Sequence, residues 1–120
     1  MTQLTIRTRT TAAGPVVELT GELDYDSVSR LRDLLPGLPL SAGQQLVIDL
    51  TGLTCCDSSG ISALLAARNH ALAAGADIAL AAVPNCINRI FGVVGLAEVF
   101  PAFTTAREAE TAWTRTAPRP

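Results

Sequence analysis

The chain has 120 residues, nearly half of them hydrophobic, with a formal net charge of -2 and a pI near 5.2. That length suits one domain, large enough to bury a core without a disulfide or metal to support it. The acidic balance argues against general nucleic-acid binding, and because all nine basic residues are arginine, any mechanism that needs a lysine is excluded.

The three cysteines, Cys55, Cys56 and Cys86, are odd in number and have no framework spacing, as expected of a reduced setting. The stretch from Met1 to Arg7 has no apolar core of signal-peptide length. No run approaches the roughly 18 apolar residues that span a membrane. The expectation is a soluble, cytoplasmic protein.

Leu4 and Ile6 begin a weakly alternating edge strand that runs to about Thr11. The turn signal Ala12-Ala13-Gly14-Pro15 leads to a second strand, Val16 to Thr20, so the pair predicts a hairpin. Gly21 to Asp24 reads as a bend. A helix then starts between Asp24 and Ser27, with Asp26 or Ser27 as its cap. Its apolar stripe is Val28, Leu31, Leu34 and Leu35, and Pro36-Gly37 ends it.

Gln45 to Leu50 is apolar on both faces except at Asp49, the pattern of a central buried strand. Thr51 to Thr54 reads as loop. A second helix, rich in alanine, runs from about Ser58 to Ala74, with Ile61, Leu64, Leu65 and Leu72 towards the core and Gly75 as its stop. Asp77 to Ala82 is a fourth strand. Pro84 opens a third helix over Asn85 to Val94, which Gly95 closes. Val99-Phe100 reads as a short last strand, and Thr104 or Thr105 caps a final helix to about Trp113. The fold class is therefore α/β, a mostly parallel sheet with an antiparallel hairpin in front, in the order β-β-α-β-α-β-α-β-α. Residues 1–114 are expected to form a single domain and 115–120 a frayed tail.

The chemistry centres on Asp57-Ser58-Ser59-Gly60, where the central strand hands over to a helix. A hydrolase built on Ser58 lacks the first glycine of a Gly-x-Ser-x-Gly elbow. Its only histidine, His70, lies twelve residues along the same predicted helix, roughly 18 Å away at 1.5 Å per residue. A receiver domain phosphorylated on Asp57 needs a lysine and an early acidic pair, and neither is present. A metal site on Cys55, Cys56, Cys86 and His70 lacks any Cys-x-x-Cys pair, and small buried thiols are the simpler reading. No glycine-rich phosphate loop occurs, so nucleotide binding has no support.

What remains is Ser58 as a helix cap or as a substrate. A phosphate at a helix N-terminus is tolerated by the unpaired N–H groups there. It still adds about -1.5 to -2 of charge to the surface. That would switch a docking face without unfolding the domain. A redox role for Cys55 and Cys56 beside Asp57 is a further expectation.

Several segments together resemble a STAS domain of the anti-sigma factor antagonist (anti-anti-sigma factor) family, over nearly the whole chain. They are Gly21-Glu22-Leu23-Asp24, Leu46 to Leu50, Asp57 to Ile61, and Pro84, Arg89, Phe91 and Gly95-Leu96 with Val99-Phe100. The resemblance implies a STAS-type fold and a non-enzymatic partner switch in transcription regulation. Unphosphorylated, such a protein binds an anti-sigma factor with GHKL-type serine kinase activity and frees a sigma factor. The kinase inactivates it at the first serine of the motif, here Ser58, with Ser59 a lesser site, and a PP2C-type phosphatase restores it. Asp24, Asp57, Ser58, Ser59 and Gly60 would form the partner-binding face, with no cofactor or metal. The chain departs from the family in carrying Cys55-Cys56 before Asp57 and Ser62 two residues after Gly60. The alternative is a constitutive STAS adaptor in a signalling scaffold or lipid-transport complex, with Ser58 only a helix cap.

Overall fold

The computed structural model describes residues 4–95 and 99–116. Among these, one sheet contains β1 (Thr5–Thr10), β2 (Pro15–Leu23), β3 (Gln45–Cys56), β4 (Asp77–Ala81) and β5 (Ala102–Phe103), in that spatial order. β1 and β2 are antiparallel; every later neighbour is parallel. The helices are α1 (Val28–Leu34), α2 (Ser58–Ala73), α3 (Asn85–Val94) and α4 (Ala106–Thr116), and a single 3-10 turn, Leu35–Gly37, follows α1. The mixed, mostly parallel α/β architecture and the element order are those expected.

Strand alternation sorts the core into two layers. Leu46, Ile48 and Leu50 of β3 and Ile78 and Leu80 of β4 face α1, α2 and α3. Val47, Ala79 and Ala81 face α4, which meets them with Ala106 and Ala109. Each βαβ crossover therefore lies on the same side, as handed connections between adjacent parallel strands require. On α2, Ala63, Ala67 and Ala71 recur every four residues and are fully buried, which lets the helix axis approach the sheet closely. Leu31, Leu64 and Ile87 anchor the three helices, each side chain contributing about 1.5–3 kcal/mol by its burial.

The β1–β2 connection crosses over the start of β3. Ala13 O accepts from Gln45 N at 2.8 Å. A Cβ on Gly14, whose φ is +144°, would lie 2.3 Å from Gln45 O, so the turn needs glycine at that position.

Five expectations are corrected. Gly21 to Leu23 continues β2, and Thr51 to Cys56 continues β3, because these segments pair with each other through to Leu23 and Cys56. Val99 and Phe100 lie in a turn and a bend. Phe100 is a core side chain stacked on Phe91, with ring centroids 5.6 Å apart. The ladder forms after it, where Pro101 O accepts from Leu80 N and Phe103 O from Ala82 N. Leu72, expected in the core, is 46% exposed. Finally, α4 runs to Thr116, past the expected end near Trp113, and 117–120 lies outside the described residues.

Candidate functional site

β3 is longer than its hydrophobic run because it carries two irregularities. The pairing steps from Glu18↔Asp49 to Thr20↔Gly52, and from Gly21↔Leu53 to Glu22↔Cys55. Each step puts one extra residue on β3, the signature of a bulge. Side chains of Asp49 and Thr54 bond locally here: Asp49 Oδ1 accepts from Thr51 N at 3.0 Å, and Thr54 Oγ1 donates to Gly21 O at 3.0 Å. The result is that Leu50, Leu53 and Cys56, spaced by three, all face the same core. The chain then leaves the sheet at Asp57.

Asp57 is the N-cap of α2, with extended backbone (φ -97°, ψ -169°). Its Oδ1 accepts from Gly60 N at 3.1 Å, the third N–H of the helix. Its Oδ2 accepts from Tyr25 N at 3.3 Å, across to the turn between β2 and α1. One carboxylate thus ties the start of α2 to the start of α1. Of the two readings left open for Ser58, the cap falls instead to Asp57. Ser58 is the first helical residue and exposed; the residue before it reaches the orphan N–H.

Gly60, expected on the docking face, is buried. A Cβ there would lie 2.6 Å from Leu23 O and 2.6 Å from the Cys56 Cβ. It lets the first turn of α2 sit against the ends of β2 and β3. Ser59 is half-buried.

The β2–α1 turn is built by Asp24 and Ser27. Asp24 Oδ1 accepts from Asp26 N and Ser27 N, both at 3.1 Å, and Ser27 Oγ donates to Glu22 O at 3.0 Å. Asp24 thus braces the turn before α1, and Ser27, one of the two expected caps, is the N-cap by position but makes no side-chain cap bond to the helix. This turn holds Tyr25 out at 80% exposure. In the sequence the only signal for Tyr25 is an aromatic residue after Gly-Glu-Leu-Asp.

Asp24, Asp57, Ser58 and Ser59 come together on one end of the sheet. Glu22, Asp24, Cys56 and Asp57 line a shallow hollow of about 200 Å³ there. The hollow carries three carboxylates, so its field is negative. His70 lies on α2 with Ser58, twelve residues along. Cys56 is buried, and the half-buried Cys86 thiol donates to Thr54 O at 3.8 Å. The redox expectation also involves Cys55, whose side chain lies outside those described. Among the described residues, no group of three or more His, Cys, Asp or Glu stands together as a metal site. No described helix is long and apolar enough to cross a membrane.

Comparison with known proteins places the fold. A family model described as "Mlab, STAS domain" matches residues 6–102. The fold is similar to an anti-sigma-factor antagonist (STAS) domain protein from Planctomyces limnophilus, with 23% identity, 91% of this chain and 97% of that one covered, and a TM-score of 0.80. It is also similar to the Bacillus anti-sigma factor antagonist SpoIIAA in its unphosphorylated form, with 18% identity, 95% and 100% coverage, and a TM-score of 0.75. A sulfate transporter family protein from Wolinella succinogenes matches with 14% identity, 89% coverage of each chain and a TM-score of 0.75. At these identities the likenesses establish the fold.

Proposed function

Because the chain belongs to the STAS domain family, we propose that it is a cytoplasmic, non-enzymatic anti-sigma factor antagonist switched by phosphorylation of Ser58. Unphosphorylated, it binds an anti-sigma factor that is also a GHKL-type serine kinase, and a sigma factor is freed. The observation that carries this reading is the exposed Ser58 hydroxyl at the first position of α2, with the capping duty taken by Asp57. Ser58 is thereby left available to a reagent from outside.

The kinase transfers the γ-phosphoryl of ATP to Ser58 Oγ, the hydroxyl proton departs, and ADP is released. A PP2C-type phosphatase hydrolyses the ester with water. The product brings about -1.5 to -2 of charge beside a hollow that already holds Glu22, Asp24 and Asp57. A partner docked there would have to desolvate that charge next to like charges, which is costly unless paired. Asp57 positions the serine by fixing the helix start. Asp24 holds the adjoining turn, and Ser59 is the lesser acceptor.

The test is incubation with candidate GHKL kinases and ATP, followed by mapping of phosphate by mass spectrometry. The expected result is modification at Ser58, loss of kinase binding by Ser58→Glu, and permanent binding by Ser58→Ala. Wild-type affinity in Ser58→Glu would sink the reading. The likeness to a transporter-family protein supports a second reading, a constitutive adaptor in a signalling scaffold or lipid-transport complex. In that case neither Ser58 variant changes partner affinity.

A further inference from the structure

We propose that the free edge of β1 is a docking site for an extended, acidic segment of a protein partner, which joins the sheet as an additional strand. The two edges of the sheet differ in length. β5 holds only Ala102–Phe103, whereas β1 runs from Thr5 to Thr10 with no bulge in its register on β2. Five of its six residues are exposed, and among the described residues no strand lies beyond it. A long, unbroken edge is a template for another strand, which is why most are shortened, bent or covered.

The hydrogen-bond phase of the hairpin shows what this edge offers. Thr11 and Gly14 exchange both backbone N–H···O bonds across the turn, at 2.9 and 3.1 Å. Bonded and non-bonded pairs alternate along an antiparallel ladder. Thr5, Arg7 and Arg9 therefore direct their backbone groups at Thr20, Glu18 and Val16 of β2. Pro15, which has no N–H to give, falls opposite Thr10 at a non-bonded pair, as this phase requires. Leu4, Ile6, Thr8 and Thr10 point theirs outward. Leu4 O accepts from Arg30 Nη1 of α1. The N–H and C=O groups of Ile6, Thr8 and Thr10 face an incoming strand.

The side chains choose that strand. Arg7 and Arg9 lie opposite Glu18 and Val16, so both stand on the α4 side of the sheet, and both are exposed. Ile6, opposite Leu19, packs at the margin of the core on the other side. β1 carries no acidic residue. On the outer side Arg7 and Arg9 occupy non-bonded sites, where facing side chains approach most closely. A second copy that bonds Ile6, Thr8 and Thr10 in an antiparallel pair sets each Arg7 against the other copy's Arg9, a like-charge contact. A strand with a carboxylate at alternate positions places one opposite each arginine instead, with apolar residues beside Ile6.

The test uses the full, isotopically labelled chain at low salt and reads amide hydrogen exchange by NMR. The probes are two end-blocked pentapeptides, Val-Glu-Val-Glu-Val and Val-Lys-Val-Lys-Val. With the glutamate peptide, the Ile6, Thr8 and Thr10 amides should gain saturable protection, while those of Arg7 and Arg9, already bonded to β2, gain much less. The lysine peptide should bind about 5-fold or more weakly, because each cross-strand pair turns from attractive to repulsive. That preference runs against the chain's net charge of -2, so it reports the edge itself. Thr8→Pro removes one outward N–H without touching the β2 ladder and should abolish the protection. Arg7→Glu combined with Arg9→Glu should reverse the peptide preference. Absence of protection, protection spread evenly along β1, or equal affinity for the two peptides overturns the proposal. So does a glutamate preference that survives the double charge reversal. Protection of the same amides that rises with protein concentration alone would assign the edge to a second copy and overturn it too.

Discussion

Asp57 uses both carboxylate oxygens on backbone N–H groups, one at the start of α2 and one at Tyr25. Ser58 beside it stands exposed, with no part in that cap. The two neighbours should therefore differ sharply on truncation. Asp57→Ala is expected to lose about 1 kcal/mol, within the roughly 0.5–2 kcal/mol seen for lost caps. Ser58→Ala should stay within about 0.5 kcal/mol, as ordinary surface changes do. Urea unfolding of both variants measures this, and equal losses would return the cap to Ser58. Gln45 gives a prediction of opposite sign. Its amide oxygen is buried and has no described partner, a state that costs about 1–3 kcal/mol. Gln45→Met should then raise stability by about 1 kcal/mol, read as a higher urea midpoint at unchanged slope. A lower midpoint would mean that the amide is better satisfied than its geometry indicates.

At the scale of elements, the central strand shows both what the sequence reveals and where it misleads. Gln45 to Leu50 has the apolar run of a buried strand and is one. Beyond it the inward residues Leu50, Leu53 and Cys56 are spaced by three, because each bulge inserts a residue. A period of three matches neither a flat strand nor a helix, so Thr51-Gly52-Leu53-Thr54 reads as loop. The hydroxyl motif at Asp57 to Gly60 stands out in the sequence by its place between an apolar strand and an apolar helix. Which of its members caps the helix was not legible, because aspartate and serine are both good caps and one residue of register decides between them. Gly60 was legible as motif but not as packing. Its place against Leu23 O and Cys56 predicts that Gly60→Ala is destabilised by about 1–3 kcal/mol through overpacking. Gly92, exposed inside α3 with nothing within 4 Å of a built Cβ, predicts the reverse. Gly92→Ala should gain about 0.5–1 kcal/mol from helix propensity. Thermal unfolding of the pair checks both signs, and a stabilised Gly60→Ala would show that α2 can move off the strand ends at little cost.

For the molecule as a whole, the sheet has unequal covers. Three helices protect one face, while among the described helices α4 meets Val16, Val47, Ala79 and Ala81 on the other, with Phe103 of β5 beside it. The matching family model ends at residue 102, before α4 begins, yet this helix is part of the folded unit. Val16 and Val47 are each 1% exposed, and losing their cover forfeits up to about 1.5–3 kcal/mol apiece. Against a typical domain stability of about 5–15 kcal/mol, that is a large share, and the uncovered patch would also favour aggregation. A chain truncated after Phe103 is therefore expected to lose its cooperative urea transition or to associate on gel filtration. Should it prove insoluble, point variants in the full chain ask the same question. Ala109 is fully buried against this face, so Ala109→Asp places an unpaired carboxylate in the core layer. It should cost about 3 kcal/mol or more. Arg107, exposed on the same helix, should tolerate aspartate within about 0.5 kcal/mol. If Ala109→Asp unfolds at the wild-type midpoint, α4 is an appendage and the parallel sheet is stable with one face open. If it collapses while Arg107→Asp does not, the proposed switch at Ser58 sits on a sheet held from both sides, with α4 as its second layer.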